Sequence, residues 1–126
     1  MVLSERILAL RRLPLFSESG DHELIMLAEV ARPRTFSPGA VICEAGQIAS
    51  RVLLVVSGSV ESDTGPEHSQ MLGMASVLFE TPIDRTVRAG ATGAECLALD
   101  RSHVFTLVNE SPRILLAPID SGERSL

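Results

Sequence analysis

From Arg34 to Leu99 the chain is divided into short apolar runs by turn-forming pairs, Pro38-Gly39, Ala45-Gly46, Ser57-Gly58 and Gly65-Pro66. Such pairs end strands and reverse the chain. Short strands at this spacing favour a sandwich or barrel over an open parallel sheet. One run, Val52 to Val56, is apolar without alternation. That pattern suits a strand covered on both faces, so this segment is expected at the centre of the sheet.

Helical patterns flank the strands. Ser4 can cap a first helix carrying Ile7, Leu8 and Leu10, with Pro14 ending it. Asp21 is the expected N-cap of a second helix, with Glu23 in its first turn, Leu24, Ile25, Leu27 and Ala28 on one face, and Pro33 closing it. Asp100 can cap a last helix from Arg101 to Asn109 that turns Val104, Phe105, Leu107 and Val108 inward; Pro112 limits it. Ile114 to Ala117, Pro118 and the polar end SGERSL follow, the last expected to fray. By periodicity alone the fold class is α+β with a β-sandwich or barrel core.

With 126 residues and 45% apolar composition, the chain can bury a core as one domain without metal or disulfide staples. The net charge of −5 and the lack of a basic run leave no electrostatic footprint for DNA or RNA. No signal peptide is visible, and no apolar run approaches the roughly 20 residues a membrane crossing needs, so a cytoplasmic protein without membrane contact is expected. Cys43 and Cys96, in apolar segments without a CxxC, read as buried thiols of a reducing compartment. The lack of lysine beside eleven arginines carries no functional meaning.

Met71 to Ala89, MLGMASVLFETPIDRTVRA, has the shape of an anion-binding cassette. Gly73 leads into small residues and a short helical run, Ala75 to Leu78, then Pro82 and a strand-like segment from Thr86 to Ala89. Amides at the first turn of such a helix, helped by its dipole, suit phosphate.

This stretch resembles the phosphate-binding cassette of the cyclic-nucleotide-binding domain family, which includes the sensor domains of catabolite-activator-type regulators and the regulatory subunits of cAMP-dependent kinases. Leu13-Pro14-Leu15-Phe16 is similar to the family's entry into its first helix, and Phe36 to Ile42 to its first hairpin. Glu44-Ala45-Gly46 and Leu53 to Val60 match the next turn and strand, and Leu97 to Arg101, running into Val104 to Val108, match the last strand and helix. The resemblance implies a β jelly-roll of eight strands, in a single domain over 1–126: helices over 1–33, a β-roll over 34–99 with a cassette helix near 74–79, a helical segment over 100–117 and a tail over 118–126.

The resemblance also assigns site residues. Family cassettes read phenylalanine-glycine-glutamate, then proline-arginine-serine or threonine-alanine; here the matching positions are Leu72-Gly73-Met74 and Pro82-Ile83. Met74 replaces the glutamate that holds the ribose, and Ile83 the arginine that pairs with the phosphate. Charged hydrogen bonds contribute about 1.5 to 3 kcal/mol each. Losing both should weaken binding by roughly a hundred-fold to ten-thousand-fold.

A ligand role remains open through Leu72, Gly73, Met74, Ala75, Ser76, Ile83, Arg85 and Thr86. The amides of Gly73 to Ser76 and the Ser76 hydroxyl can meet an anion. On a strand, Arg85 would share a face with Ile83, displaced by about 6 to 7 Å, with Asp84 turned away. The plainer expectation is a surface Arg85 paired with a carboxylate, and a pocket filled by Met74 and Ile83. The eleven residues from Glu61 to Met71 are too few for two full strands, so that edge should be trimmed.

His22, His68 and His103 are scattered without a His-x-His pair, against a cupin-type metal site. Nucleophile turns such as GxSxG are absent, and Glu61, Asp63, Glu67 and Glu80 read as solvated loop carboxylates. No enzyme and no cofactor are expected. The expected function is a regulatory or interaction domain in which cAMP or cGMP binding is weak or lost, acting through a protein partner or homodimer. The alternative is a sensor of cAMP, cGMP or another phosphorylated ligand through a rearranged cassette.

Overall fold

The computed structural model describes residues 1–110 except 18, 64 and 68. The expectations at His68, Pro112, Ile114 to Ala117, Pro118 and the tail lie outside the described residues. The elements run α1 (Leu3–Arg12), a single 3-10 turn (Pro14–Phe16), α2 (Asp21–Val30), β1 (Arg32–Phe36), β2 (Val41–Cys43), β3 (Arg51–Ser62), β4 (Gly65–Pro66), β5 (Met71–Leu72), α3 (Met74–Phe79), β6 (Val87–Asp100) and α4 (Arg101–Glu110). The strands form one antiparallel sheet in the order β1-β6-β3-β4, with β2 also on β6 and β5 also on β3.

Among the described residues, six strands therefore stand where eight were expected. β3 and β6 are long and pair from Arg51↔Asp100 to Ser62↔Val87, with register shifts between Val55/Ser57 and Gly58/Val60. Those irregularities bend the ribbon, so one continuous strand covers what two shorter ones would. Gly58 at the bend has φ +84, and a Cβ there would lie 2.2 Å from the Gly93 carbonyl oxygen. The trimmed edge is present as expected: β4 and β5 have two residues each.

Val52 to Val55 are buried in the central strand, and its two faces serve different cores. Val52 and Leu54, with Leu97 and Leu99 of β6, pack against Leu10, Leu24, Leu27, Met74 and Val104 of the helices. Leu53 and Val55, with Cys96 and Ala98, join Cys43, Leu72 and Val87 inside the roll. Neither cysteine is in a disulfide. Alternate side chains point to opposite faces, so a strand lined by apolar atoms on both sides must be apolar at every position.

Helix boundaries shift slightly. The N-cap of α1 is Val2 rather than Ser4, because the Val2 N–H donates to Glu5 Oε1 at 2.8 Å and starts the helix earlier. Gly20, not Asp21, caps α2, leaving Asp21 and Glu23 in its first turn, where carboxylates favour the dipole. The helix ends at Val30, and Pro33 lies in β1, which pairs only with β6 and so has an edge that needs no proline N–H. Leu8, Ile25 and Phe105 are exposed rather than inward. Phe105 instead lies under the Arg101 guanidinium, 5.3 Å from its ring centre. Asp100 precedes α4 and accepts from Arg51 Nε at 3.0 Å. No helix among the described residues is long and apolar enough to cross a membrane.

Candidate functional site

The cassette begins where β5 ends. Gly73 takes φ +89, the left-handed conformation that lets the chain turn from β5 straight into α3. A Cβ at this position would also sit 3.3 Å from the Arg51 carbonyl oxygen. The six residues of α3 then turn Met74, Ser76 and Val77 inward. On its far side the chain returns through residues 80–86 into β6, pinned to the 44–47 turn by Gly46 N–H to the Ile83 carbonyl and Ile83 N–H to the Gln47 carbonyl, both 2.8 Å.

Between these two walls lies a cavity of about 180 Å3, lined by Leu72, Gly73, Ala75 and Ser76 on one side and Thr81, Pro82, Ile83, Asp84 and Arg85 on the other, with Cys43 and Val87 at its base. Six of the eight expected site residues thus meet at one opening. Met74 and Thr86 do not. Met74, 1% exposed, points into the core beneath the helices, and the Thr86 hydroxyl accepts the Ala45 N–H at 3.1 Å. The expectation that Met74 and Ile83 fill the pocket as extra core holds in part: Met74 is in the core on the helix side and Ile83 packs against the roll's core, yet the pocket is not filled, and a cavity stays open beside Ile83. Ser76 Oγ accepts the Ala49 N–H at 2.8 Å, which fixes the hydroxyl oxygen and leaves its proton to donate.

Arg85 is not a surface arginine. Its side chain is 16% exposed and lies on the pocket wall. Nε and Nη2 each lie 2.6 Å from Glu67 Oε2, and Nη1 donates to Asp84 Oδ1 at 2.8 Å. Burial alone would lower the Arg85 pKa, but the hydrogen bond and charge of Glu67, followed by the charge and hydrogen bond of Asp84, outweigh it and raise the value above the ordinary one. The guanidinium is therefore permanently charged.

Two expectations fail here, each for its own reason. Asp84 was to face away from Arg85 by strand alternation, yet residues 84 and 85 form a bend before β6 starts at Val87, so period-two alternation does not apply. Glu67, expected as a solvated loop carboxylate, has a side chain that is only 1% exposed. Its Oε1 accepts the Ser69 N–H at 3.1 Å, and its backbone N–H donates to the Val60 carbonyl. Facing Val60, whose side chain is in the roll's core, Glu67 is turned inward with it. The missing signal was the register of the 61–71 segment, which its composition does not carry.

Burial, reinforced by the neighbouring Cys43, pushes the Cys96 thiol up to about 12, so at neutral pH it is a protonated core group. Among the described residues no cluster of His, Cys, Asp or Glu could hold a metal ion.

No family model matches the sequence. A cyclic nucleotide-gated potassium channel of Rhizobium etli is 34% identical over 107 residues, which is 80% of this chain and 30% of the channel. The chain thus spans under a third of that relative. Among solved structures, PKAR CBD2 with Sp-2Cl-cAMPS bound superposes with a TM-score of 0.79 at 14% identity, covering 98% of this chain and 91% of that one. The regulatory subunit of a cAMP-independent protein kinase A from Trypanosoma brucei gives 0.76 at 22% identity, covering 90% of this chain and 45% of the other. Sequence motifs, topology and these superpositions agree, and the chain is a domain of the cyclic-nucleotide-binding fold family.

Proposed function

We propose that this domain is a non-catalytic regulatory module in which ordinary cAMP and cGMP binding is weak, at millimolar ligand or above. The observation that carries this is the charge balance at the pocket: one guanidinium, Arg85, faces two carboxylates, Glu67 and Asp84, at hydrogen-bond distance. A phosphate must compete with carboxylates already in place, in a site whose local formal charge is −1 rather than positive. The ribose side fares no better, because Met74 offers no acceptor and lies in the core. The cavity of about 180 Å3 is also below the roughly 300–1,000 Å3 usual for pockets that enclose small ligands. A regulatory subunit from a kinase described as cAMP-independent shares the fold, so this architecture is compatible with regulation by other means. Such a domain would signal through a protein partner or a second copy of itself.

A second reading is favoured by one observation, the presence of Arg85 and the Ser76 hydroxyl on the walls of an unfilled cavity. It makes the pocket a sensor for a small phosphorylated ligand. Calorimetric titration with cAMP and cGMP up to millimolar, with Arg85→Ala alongside, separates the two. Silence at millimolar ligand is the expected result. Saturable micromolar binding abolished by Arg85→Ala refutes weak binding and establishes the sensor.

A further inference from the structure

The two carboxylates on Arg85 are not equivalent. Glu67 is sealed behind the guanidinium, 1% exposed, and takes its Nε and Nη2. Asp84 is 63% exposed, lines the cavity and takes Nη1. A guanidinium has two edges able to pair with a two-oxygen anion, one through Nε and Nη2 and one through Nη1 and Nη2. Glu67 uses the first. The second is the edge that Glu67 leaves over for another anion, and Asp84, which lines the cavity, holds its Nη1.

We propose that Asp84 is a specificity-determining residue of this pocket, its carboxylate occupying the ligand-facing edge of Arg85 as an internal anion and so excluding phosphate-bearing ligands. The inference rests on the reading of weak cyclic-nucleotide binding and names its cause. Asp84 is adjacent to Arg85 in the chain, and a tethered group competes at an effective concentration of millimolar order or higher. Any free phosphate compound at micromolar concentration is outcompeted for that edge. Glu67 cannot play this part, because it holds the opposite edge and does not line the cavity. Its role is to hold Arg85 at the wall. Because Asp84 is exposed and Arg85 keeps Glu67 as its counter-ion, removing Asp84 leaves no charge without a partner, and the fold should tolerate it.

The test is calorimetric titration with cAMP and with inorganic phosphate of the wild type, Asp84→Asn, Asp84→Ala and Asp84→Ala/Arg85→Ala, after thermal melts establish that all four are folded. Freeing one charged hydrogen bond and removing one repelling charge should tighten binding of cAMP by about ten- to a hundred-fold in both single variants, and the double variant should lose the gain. No gain in either single variant, with the wild type silent at millimolar ligand, overturns the role of Asp84 and leaves the weak-binding reading in place. A gain that survives Arg85→Ala also overturns it, since the effect would not pass through Arg85. Micromolar binding by the wild type refutes the weak-binding reading, and with it the exclusion assigned to Asp84.

Discussion

Glu67→Ala separates the two carboxylates that share Arg85 by their burial. At 1% exposure Glu67 has lost its water, and its desolvation is offset by two short contacts to the guanidinium and one from the Ser69 N–H. Truncating it removes the partner of a cation that is itself mostly buried, and breaking a buried pair this way costs about 3–5 kcal/mol. The cavity beside Arg85 can admit water to the released guanidinium, which places the loss at the lower end, about 3 kcal/mol. For a domain of this size that lowers the Tm by roughly 10–15 °C. Asp84→Ala, removing an exposed carboxylate from the same arginine, should cost about 0–1 kcal/mol. Urea unfolding with a double-mutant cycle through Arg85→Ala measures both couplings. Replacing both partners with apolar residues, Glu67→Leu/Arg85→Met, should recover most of the loss. If Glu67→Ala costs less than about 1 kcal/mol, or no more than Asp84→Ala, burial is not what distinguishes the two pairs and the reasoning fails.

Met74→Glu, which introduces the residue that the family resemblance implies at that position, should not create nucleotide binding; it places a carboxylate in the core under the helices and should cost several kcal/mol, about 3 or more, by chemical denaturation, while improved cAMP affinity would refute the placement of Met74. Gly58→Ala puts a methyl group 2.2 Å from the Gly93 carbonyl oxygen in a left-handed backbone, so the β3–β6 bend must shift; a thermal melt should show a loss of about 2 kcal/mol or more, and an unchanged Tm contradicts the tight crossing. Cys96 in the folded protein should resist iodoacetamide at pH 8 and react readily in urea. Its folded value of about 12 lies above its ordinary 9.0, so the protonated thiol is favoured by folding; that contribution is complete below pH 9 and is lost as pH rises from 9 towards 12, and rapid alkylation of the folded protein at pH 8 would contradict it.

Much of this architecture was legible in the sequence because it is written in local chemistry. The uniform apolar run Val52 to Val56 marked the central strand, since a strand packed on both faces leaves no position for a polar side chain. Pro38-Gly39 and Ala45-Gly46 stand in turns as expected, whereas Ser57-Gly58 lies inside β3 and Gly65-Pro66 forms β4; Gly73 marked the turn into α3, where only glycine takes φ +89 without strain. The bend that merges expected strands into β3 and β6 was not legible, because it arises from register shifts between two strands far apart in the chain, Arg51–Ser62 and Val87–Asp100.

The site divides along the same line. The sequence carried a cassette-shaped loop, with Met74 and Ile83 where the family resemblance implies a glutamate and an arginine, and with Arg85 two residues further on. Only the tertiary structure decided what those residues do. Met74 turned into the core because α3 packs its inward face on the helix side of the sheet, which left the pocket open. Arg85 became a pocket residue because a bend, not a strand, delivers it there, and Glu67 became its buried counter-ion because cross-strand pairing with Val60 points it inward. Local propensity sets turns, caps and strands residue by residue, whereas the pairing of charges eighteen positions apart depends on register and packing, which no stretch of sequence specifies by itself.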